Sequence, residues 1–267
     1  MKYAAAIGAM AIAVTLLPMP GPAQELHHPL CLFGCPSETP VTNDLIIREI
    51  YVLSSNDTTK FADWVAYKIT RETIGPGRAR TWKADPMLAD SETLEPADYK
   101  QAHALLDTDR GHQVLLASFS GTPHWPETNY LSNITPQKSA LNQGPWRLLE
   151  EAARKLAKQA GVNGVYGLTG PLYERRMPSL PRADERHQVP SGYWKILAIR
   201  EGFTTTVAAF IFEQETPRHA KYCAHLTTVD EVERRSGLNF FHAVSQTAQD
   251  QLEGRSGALA VRLGCSP

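Results

Sequence analysis

"LNQGPWRLLEEAARKLAKQAG" (residues 141–161) is the stretch on which the architecture turns. Trp146, Leu149, Ala153 and Leu156 recur at helical spacing, so they share one buried face. Arg147, Glu151, Lys155 and Lys158 fall on the opposite, solvated face. Pro145 suits a first turn and Gly161 a stop. Asn142 precedes the helix in line with its buried face, and Glu150 is turned about 80° from it, at the edge between core and water. Arg154 lies one turn beyond Glu150. Read locally, Asn142 is a helix cap, and Glu150 with Arg154 is an i, i+4 ion pair worth a few tenths of a kcal/mol.

Around this helix the chain reads as strands and loops. "DLIIREIYVL" (44–53), "DWVAYKIT" (63–70), "HQVLLASFS" (112–120), "NGVYGLTG" (163–170), "YWKILAI" (193–199) and "TVAAFIF" (206–212) have strand character. "ETIGPGRARTWKADP" (72–86) is a Gly/Pro loop carrying Arg78, Arg80 and Lys83. "VDEVERRSG" (229–237) and "FHAVSQTAQDQLEG" (241–254) are shorter helices, with Gly237 and Gly254 as stops. There is no internal repeat. Strands and helices mix without strict alternation, which favours an α+β fold over a doubly wound parallel sheet.

The N-terminus reads as a secretory leader: an early lysine, an apolar run, then Gly21 and Ala23. Cleavage after Ala23 would leave residues 24–267 as one domain. An uncleaved anchor is the alternative, but Pro18 and Pro20 cut the run short. No later segment is long and apolar enough to cross a membrane. In an exported chain, four cysteines favour disulfides over free thiols. Three pairings are open. The local one, Cys31–Cys35 with Cys223–Cys265, needs no knowledge of the fold and is favoured. Its longer loop would stabilise by roughly 3–4 kcal/mol in the chain-entropy view. His27, His28, Cys31 and Cys35 form a rival zinc ligand set, disfavoured because adjacent histidines rarely address one metal.

The net charge is −1, and losing the leader removes only Lys2. A strongly basic balance is absent, so any anionic substrate must be held by local charge. The G-x-S-x-G elbow, Walker loop, H-E-x-x-H, EF-hand loop and G-x-G-x-x-G are all missing. Sequons at Asn56 and Asn133 carry little weight. "DTDRGHQ" (107–113) remains. His112 is a general-base candidate there, with Gly111 letting the chain turn tightly beside it, and a surface histidine is the plain alternative.

Taken in order, "DRGH" (109–112), "YLSNITPQ" (130–137) and "LNQGPWRLLE" (141–150) resemble the signature of the DNA/RNA non-specific endonucleases, which are ββα-metal, or His-Me finger, nucleases. "KFADWVAYKIT" (60–70), "ADYKQAHALLDTDRGHQ" (97–113), "VYGLTGPLYERRM" (165–177) and "YCAHLTTVDEVERRSGL" (222–238) extend the likeness from about Cys31 to Cys265. It points to the secreted branch of the family. The resemblance implies a central antiparallel sheet flanked by helices, with a ββα-metal motif at the active site. It supports the local cysteine pairing. It implies His112 as general base, Asn142 as the one direct protein ligand of Mg²⁺, and Glu150 as holder of metal-bound waters. Arg80 and Arg154 would contact phosphate, and Arg110 with Asp109 would support substrate binding less directly. Mn²⁺ could substitute for Mg²⁺.

The chemistry accounts for these residue types. A phosphodiester is an anion that repels hydroxide and has a poor leaving group. A neutral imidazole can take a proton from water, a hard cation can neutralise charge, and guanidinium forks bind phosphate oxygens. Such a site should cut DNA and RNA, single or double stranded, because phosphate contacts carry no sequence information, and the resemblance implies 5′-phosphorylated products. No membrane partner is expected. A homodimer is compatible with the family, but no interface is identifiable. Trp125 and Tyr130 could stack on bases, with packing the plainer role. An exported nucleic-acid binder without turnover and a phosphodiesterase for small nucleotides are the rival functions. DNA affinity without cleavage would mark the first, and preference for a dinucleotide over long DNA the second.

Overall fold

The computed structural model describes residues 26–266. The leader read at residues 1–23 lies outside them. Seven antiparallel strands form the main sheet in the order β1-β2-β3-β6-β7-β8-β9. These are β1 (Asp44–Ile47), β2 (Tyr51–Ser55), β3 (Ala62–Ile69), β6 (Val165–Leu172), β7 (Gly192–Glu201), β8 (Thr204–Glu213) and β9 (Leu226–Thr227). A separate two-stranded sheet pairs β4 (Thr108–His112) with β5 (Ile134–Lys138). The helices are α1 (Ala102–Leu106), α2 (Leu116–Phe119), α3 (Ser139–Leu141), α4 (Arg147–Ala157), α5 (Val229–Ser236) and α6 (Gln246–Glu253).

Strand alternation explains why the main sheet is buried on both faces. Along β7, Tyr193, Leu197 and Ile199 join the core cluster that includes Trp146, Leu149, Ala153 and Leu156 from the kinked helix. Trp194, Ile196 and Ala198 join the opposite cluster with Val229 and Val232 of α5. Successive side chains of a strand point to opposite faces, so one continuous apolar run feeds two cores. The expected central antiparallel sheet flanked by helices is what the chain forms.

Three sequence readings need correction. "DLIIREIYVL" is a hairpin, with β1 pairing β2 antiparallel. "HQVLLASFS" is not a strand. It ends β4 at His112 and then forms α2, where Leu116 and Phe119 are buried. The run is apolar enough for either assignment, and pairing of the preceding residues with β5 decides it. The helix read from residue 145 begins earlier, at Ser139, and kinks through a π turn at Asn142–Trp146. Gly144 leaves helical geometry there, and a Cβ at that position would lie 2.4 Å from the carbonyl oxygen of Arg218.

Both disulfides, Cys31–Cys35 and Cys223–Cys265, are formed. The first consumes the thiols that a zinc site at His27, His28, Cys31 and Cys35 would need, and His28 Nδ1 accepts from the Leu30 amide. The zinc reading is therefore set aside. Both sequon asparagines are buried, and Asn133 ties the chain to Val114 and Thr128. No helix among the described residues is long and apolar enough to span a membrane.

Candidate active site

The β4–β5 hairpin and the α3–α4 helix bring the "DRGH" and "LNQG" segments together. Asp109 pairs with Gln137, and His112 with Ile134, in the antiparallel register. Gly111 is extended rather than turned. A Cβ there would come within 2.7 Å of the Gln137 side chain, so close strand approach, not a tight turn, requires the glycine. Beyond the hairpin opens a cleft of about 410 Å³, lined among others by Arg80, Asp109, Arg110, His112, Asn142 and Glu150.

His112 is 6% exposed. Its Nε2 lies 3.3 Å from Asn129 Oδ1, and its ring packs on Trp82 at 5.2 Å between centroids. Burial pulls its pKa down to about 4; the Asn129 hydrogen bond opposes this and the Arg80 charge adds to it. Near neutral pH the imidazole is uncharged, the form that accepts a proton. Arg110 shares the aromatic wall, its Cζ lying 5.7 Å from the Trp82 centroid and 5.1 Å from that of Tyr99. Arg110 Nη2 donates to the Pro96 carbonyl at 3.1 Å. Arg80 is exposed at the cleft rim.

Asn142 is no helix cap. Its Nδ2 donates to Asp109 Oδ2 at 2.9 Å. Gln143 Nε2 and Ser139 Oγ donate to the same carboxylate at 2.8 and 2.9 Å, and His103 Nδ1 lies 3.2 Å from it. Burial pushes the Asp109 carboxyl up, but the bonds from Asn142, Gln143 and Ser139 and the nearby His103 outweigh it and hold it low. An ionised carboxylate only accepts, so it orients the Asn142 amide and leaves Oδ1 for another ligand. Asp109 thus acts by positioning Asn142.

Glu150 does not sit at the edge between core and water. It is 6% exposed, because the π turn upsets the even 100° steps behind the 80° offset. Its ion-pair partner is not Arg154 but Lys195 of β7, with Nζ 3.7 Å from Oε1. Burial raises the Glu150 carboxyl, while Lys195 and then Arg154 oppose the rise. Glu150 Oε1 and Arg154 Nη1 are both buried without hydrogen-bond partners. Arg154 is half-buried, one turn behind Glu150, and is not among the residues that line the cleft. Trp125 and Tyr130 do not line it either; each stacks with an arginine, Arg78 and Arg48 respectively.

The donor set fits a hard cation. It offers one amide oxygen held by a dedicated carboxylate, and one buried carboxylate on the same cleft whose Oε1 faces Lys195 at 3.7 Å without a hydrogen bond. Sequence reasoning missed Asn129, Trp82, Gln143, Arg147 and Lys195. Lys195 alone left a signal: a cation in the middle of the apolar strand "YWKILAI".

A two-stranded hairpin followed by a helix places a buried histidine, an amide and a carboxylate on one cleft, a combination that can serve phosphodiester hydrolysis. A profile of the DNA/RNA non-specific endonucleases matches residues 31–247. The chain is 48% identical to a nuclease of Serratia marcescens over 236 residues, 88% of each protein. It is 28% identical to human mitochondrial endonuclease G over 207 residues, 72% of this chain and 68% of the relative. The crystal structure of an EndoG/EndoGI complex superposes with a TM-score of 0.67 at 23% identity, covering 78% of this chain and 89% of that one, which bears on fold alone. The chain belongs to the DNA/RNA non-specific endonuclease family. It is a metal-dependent hydrolase that cuts nucleic acid, and the reading as a binder without turnover is set aside.

Proposed function

We propose that this chain is a secreted, Mg²⁺-dependent endonuclease that cleaves DNA and RNA to 5′-phosphorylated oligonucleotides, with Mn²⁺ able to substitute. The observation that carries the reading is one cleft shared by Arg80, His112, Asn142 and Glu150. Asn142 Oδ1 would hold the metal directly and Glu150 would hold its water shell; the bound ion would supply charge neutralisation at the phosphate. His112 would donate Nε2–H to Asn129 and use Nδ1 to take a proton from the attacking water. Arg80 would bind phosphate oxygens at the rim. Arg154 would act on Glu150 through its charge, since it does not line the cleft. Arg110 would brace the aromatic wall beside the phosphate path.

Arg80, Arg110 and Arg147 outnumber Asp109 and Glu150 along the cleft, although the chain as a whole has a net charge of −1. Basic side chains that meet phosphate rather than base edges support broad substrate range. Secretion is supported by the leader pattern and by two disulfides. The scheme works for a monomer and for a homodimer, since every group comes from one chain; sedimentation equilibrium distinguishes them.

The test is digestion of plasmid and RNA with Mg²⁺ and with a chelator. His112→Ala is expected to slow cleavage by roughly 10²–10⁴-fold. Undiminished cutting would sink the mechanism, and faster turnover of a dinucleotide than of long DNA would favour the small-nucleotide reading.

A further inference from the structure

Away from the cleft, α6 packs against α5 through an unusual contact. Glu253 is the one residue of α6 that is fully buried, at 4% exposure. One carboxylate oxygen from each of Asp230, Glu233 and Glu253 lies within 4.8 Å of the other two. Glu253 Oε1 is buried with no hydrogen-bond partner, while Glu233 Oε1 accepts from the Phe240 amide at 2.7 Å. None of the three acids makes an ion pair among the described residues. The arginines of α5 are engaged elsewhere, Arg234 with Glu231, and Arg235 with Glu174 and Glu213. Burial, then the Glu233 charge, pushes the Glu253 carboxyl up to about 8.

Three acids this close, one of them dehydrated, need compensation. A single proton neutralises one carboxyl and leaves two facing each other. A divalent cation offsets two charges and takes the orphaned oxygen as a ligand. Two other acidic triads, Asp44–Asp57–Glu92 and Asp98–Asp184–Glu185, lack this feature. Their unpartnered oxygens belong to Asp57 and Glu185, residues that are only partly buried as a whole, whereas Glu253 is buried almost entirely.

We propose that Asp230, Glu233 and Glu253 form a second cation site, separate from the cleft, that takes a hard divalent ion of the Ca²⁺ type and clamps α6 onto α5. Oxygen-only ligands in a loose triad suit Ca²⁺ better than the stricter octahedron of Mg²⁺. The site is structural: no cleft residue belongs to it.

The test uses the whole protein stripped with a chelator and titrated with Ca²⁺, by calorimetry and by thermal unfolding. The parent is expected to bind one more equivalent than Glu253→Gln. At ten times Kd its midpoint should rise ~3–6 °C further than the variant's. Mg²⁺-dependent DNA cleavage should be equal in both. Asp230→Asn, at an exposed position, should lose the same equivalent and keeps the test readable if Glu253→Gln fails to fold. Equal stoichiometry and equal midpoint shifts in parent and variants would overturn the site. So would a parent indifferent to Ca²⁺ and matched in stability by Glu253→Gln, since the corner would then carry only a proton.

Discussion

Glu150 and Glu253 are both almost wholly buried carboxylates, at 6% and 4% exposure, yet their surroundings are opposite. Glu150 has Lys195 at 3.7 Å and Arg154 one turn away. Glu253 has no cation facing it: burial and then Glu233, with Asp230 and Asp250 behind, raise its pKa, and only a hydrogen bond with Gln249 opposes them. The first has counter-charges supplied by the fold, which oppose the rise that burial causes, and its Oε1 makes no hydrogen bond. The second is left for something outside the chain to compensate. Burial alone therefore says little about a carboxylate's task; the sign of its neighbours says more.

The largest effect should come from removing the compensation at Glu150. Lys195→Met leaves a dehydrated carboxylate unpaired and is expected to cost about 3–5 kcal/mol of unfolding free energy in denaturant titration. Adding Glu150→Gln to it should recover part of that loss. If the single variant is as stable as the parent, Lys195 is not the counter-charge described here. Next in size, Glu150→Gln alone should weaken metal-dependent cleavage roughly 10–100-fold, as expected for a group that holds a metal's waters. Glu253→Gln should not change cleavage. Equal effects of the two glutamines on turnover would erase the distinction between the two regions.

The smallest effect is on the pH dependence of stability in the presence of a chelator. His112 has a folded pKa of about 4 against an ordinary 6.5, so the unfolded chain binds the proton more readily. Its contribution is present above pH 6.5 and fades as pH falls towards 4. Glu253 has a folded value of about 8 against 4.5, so its contribution is present at low pH and is lost as pH rises through 8. Urea unfolding between pH 5 and 9 should show both limbs, and Glu253→Gln should flatten only the alkaline one. An unchanged alkaline limb would assign that fall to other groups.

Much of the site could be read from the sequence. That legibility came through the family resemblance: "DRGH" and "LNQG" match the signature at His112 and Asn142, and the glutamate eight residues after Asn142 matches Glu150, where spacing alone reads a cap and an ion pair. Arg154 shows the limit of that reading: it stands one turn from Glu150 yet does not line the cleft. Glu150 was misjudged as half-exposed because a π turn at Gly144 is invisible to a helical wheel. The misread strand at 112–120 failed for a similar reason, since an apolar run does not declare its period when it is short.

By itself the sequence determined what repeats locally: the strands of a sheet with two apolar faces, the amphipathic helix, the glycine stops, and the residue types a phosphodiesterase needs. Tertiary structure decided the pairings between distant segments. Asp109 orients Asn142 across 33 positions, and Asn129 meets His112 across 17. Lys195 reaches Glu150 from a strand 45 positions further along the chain. The physical reason is that propensity and periodicity are properties of neighbours along the chain. Compensation of buried charge is a property of neighbours in space, set by how helix and sheet close on each other.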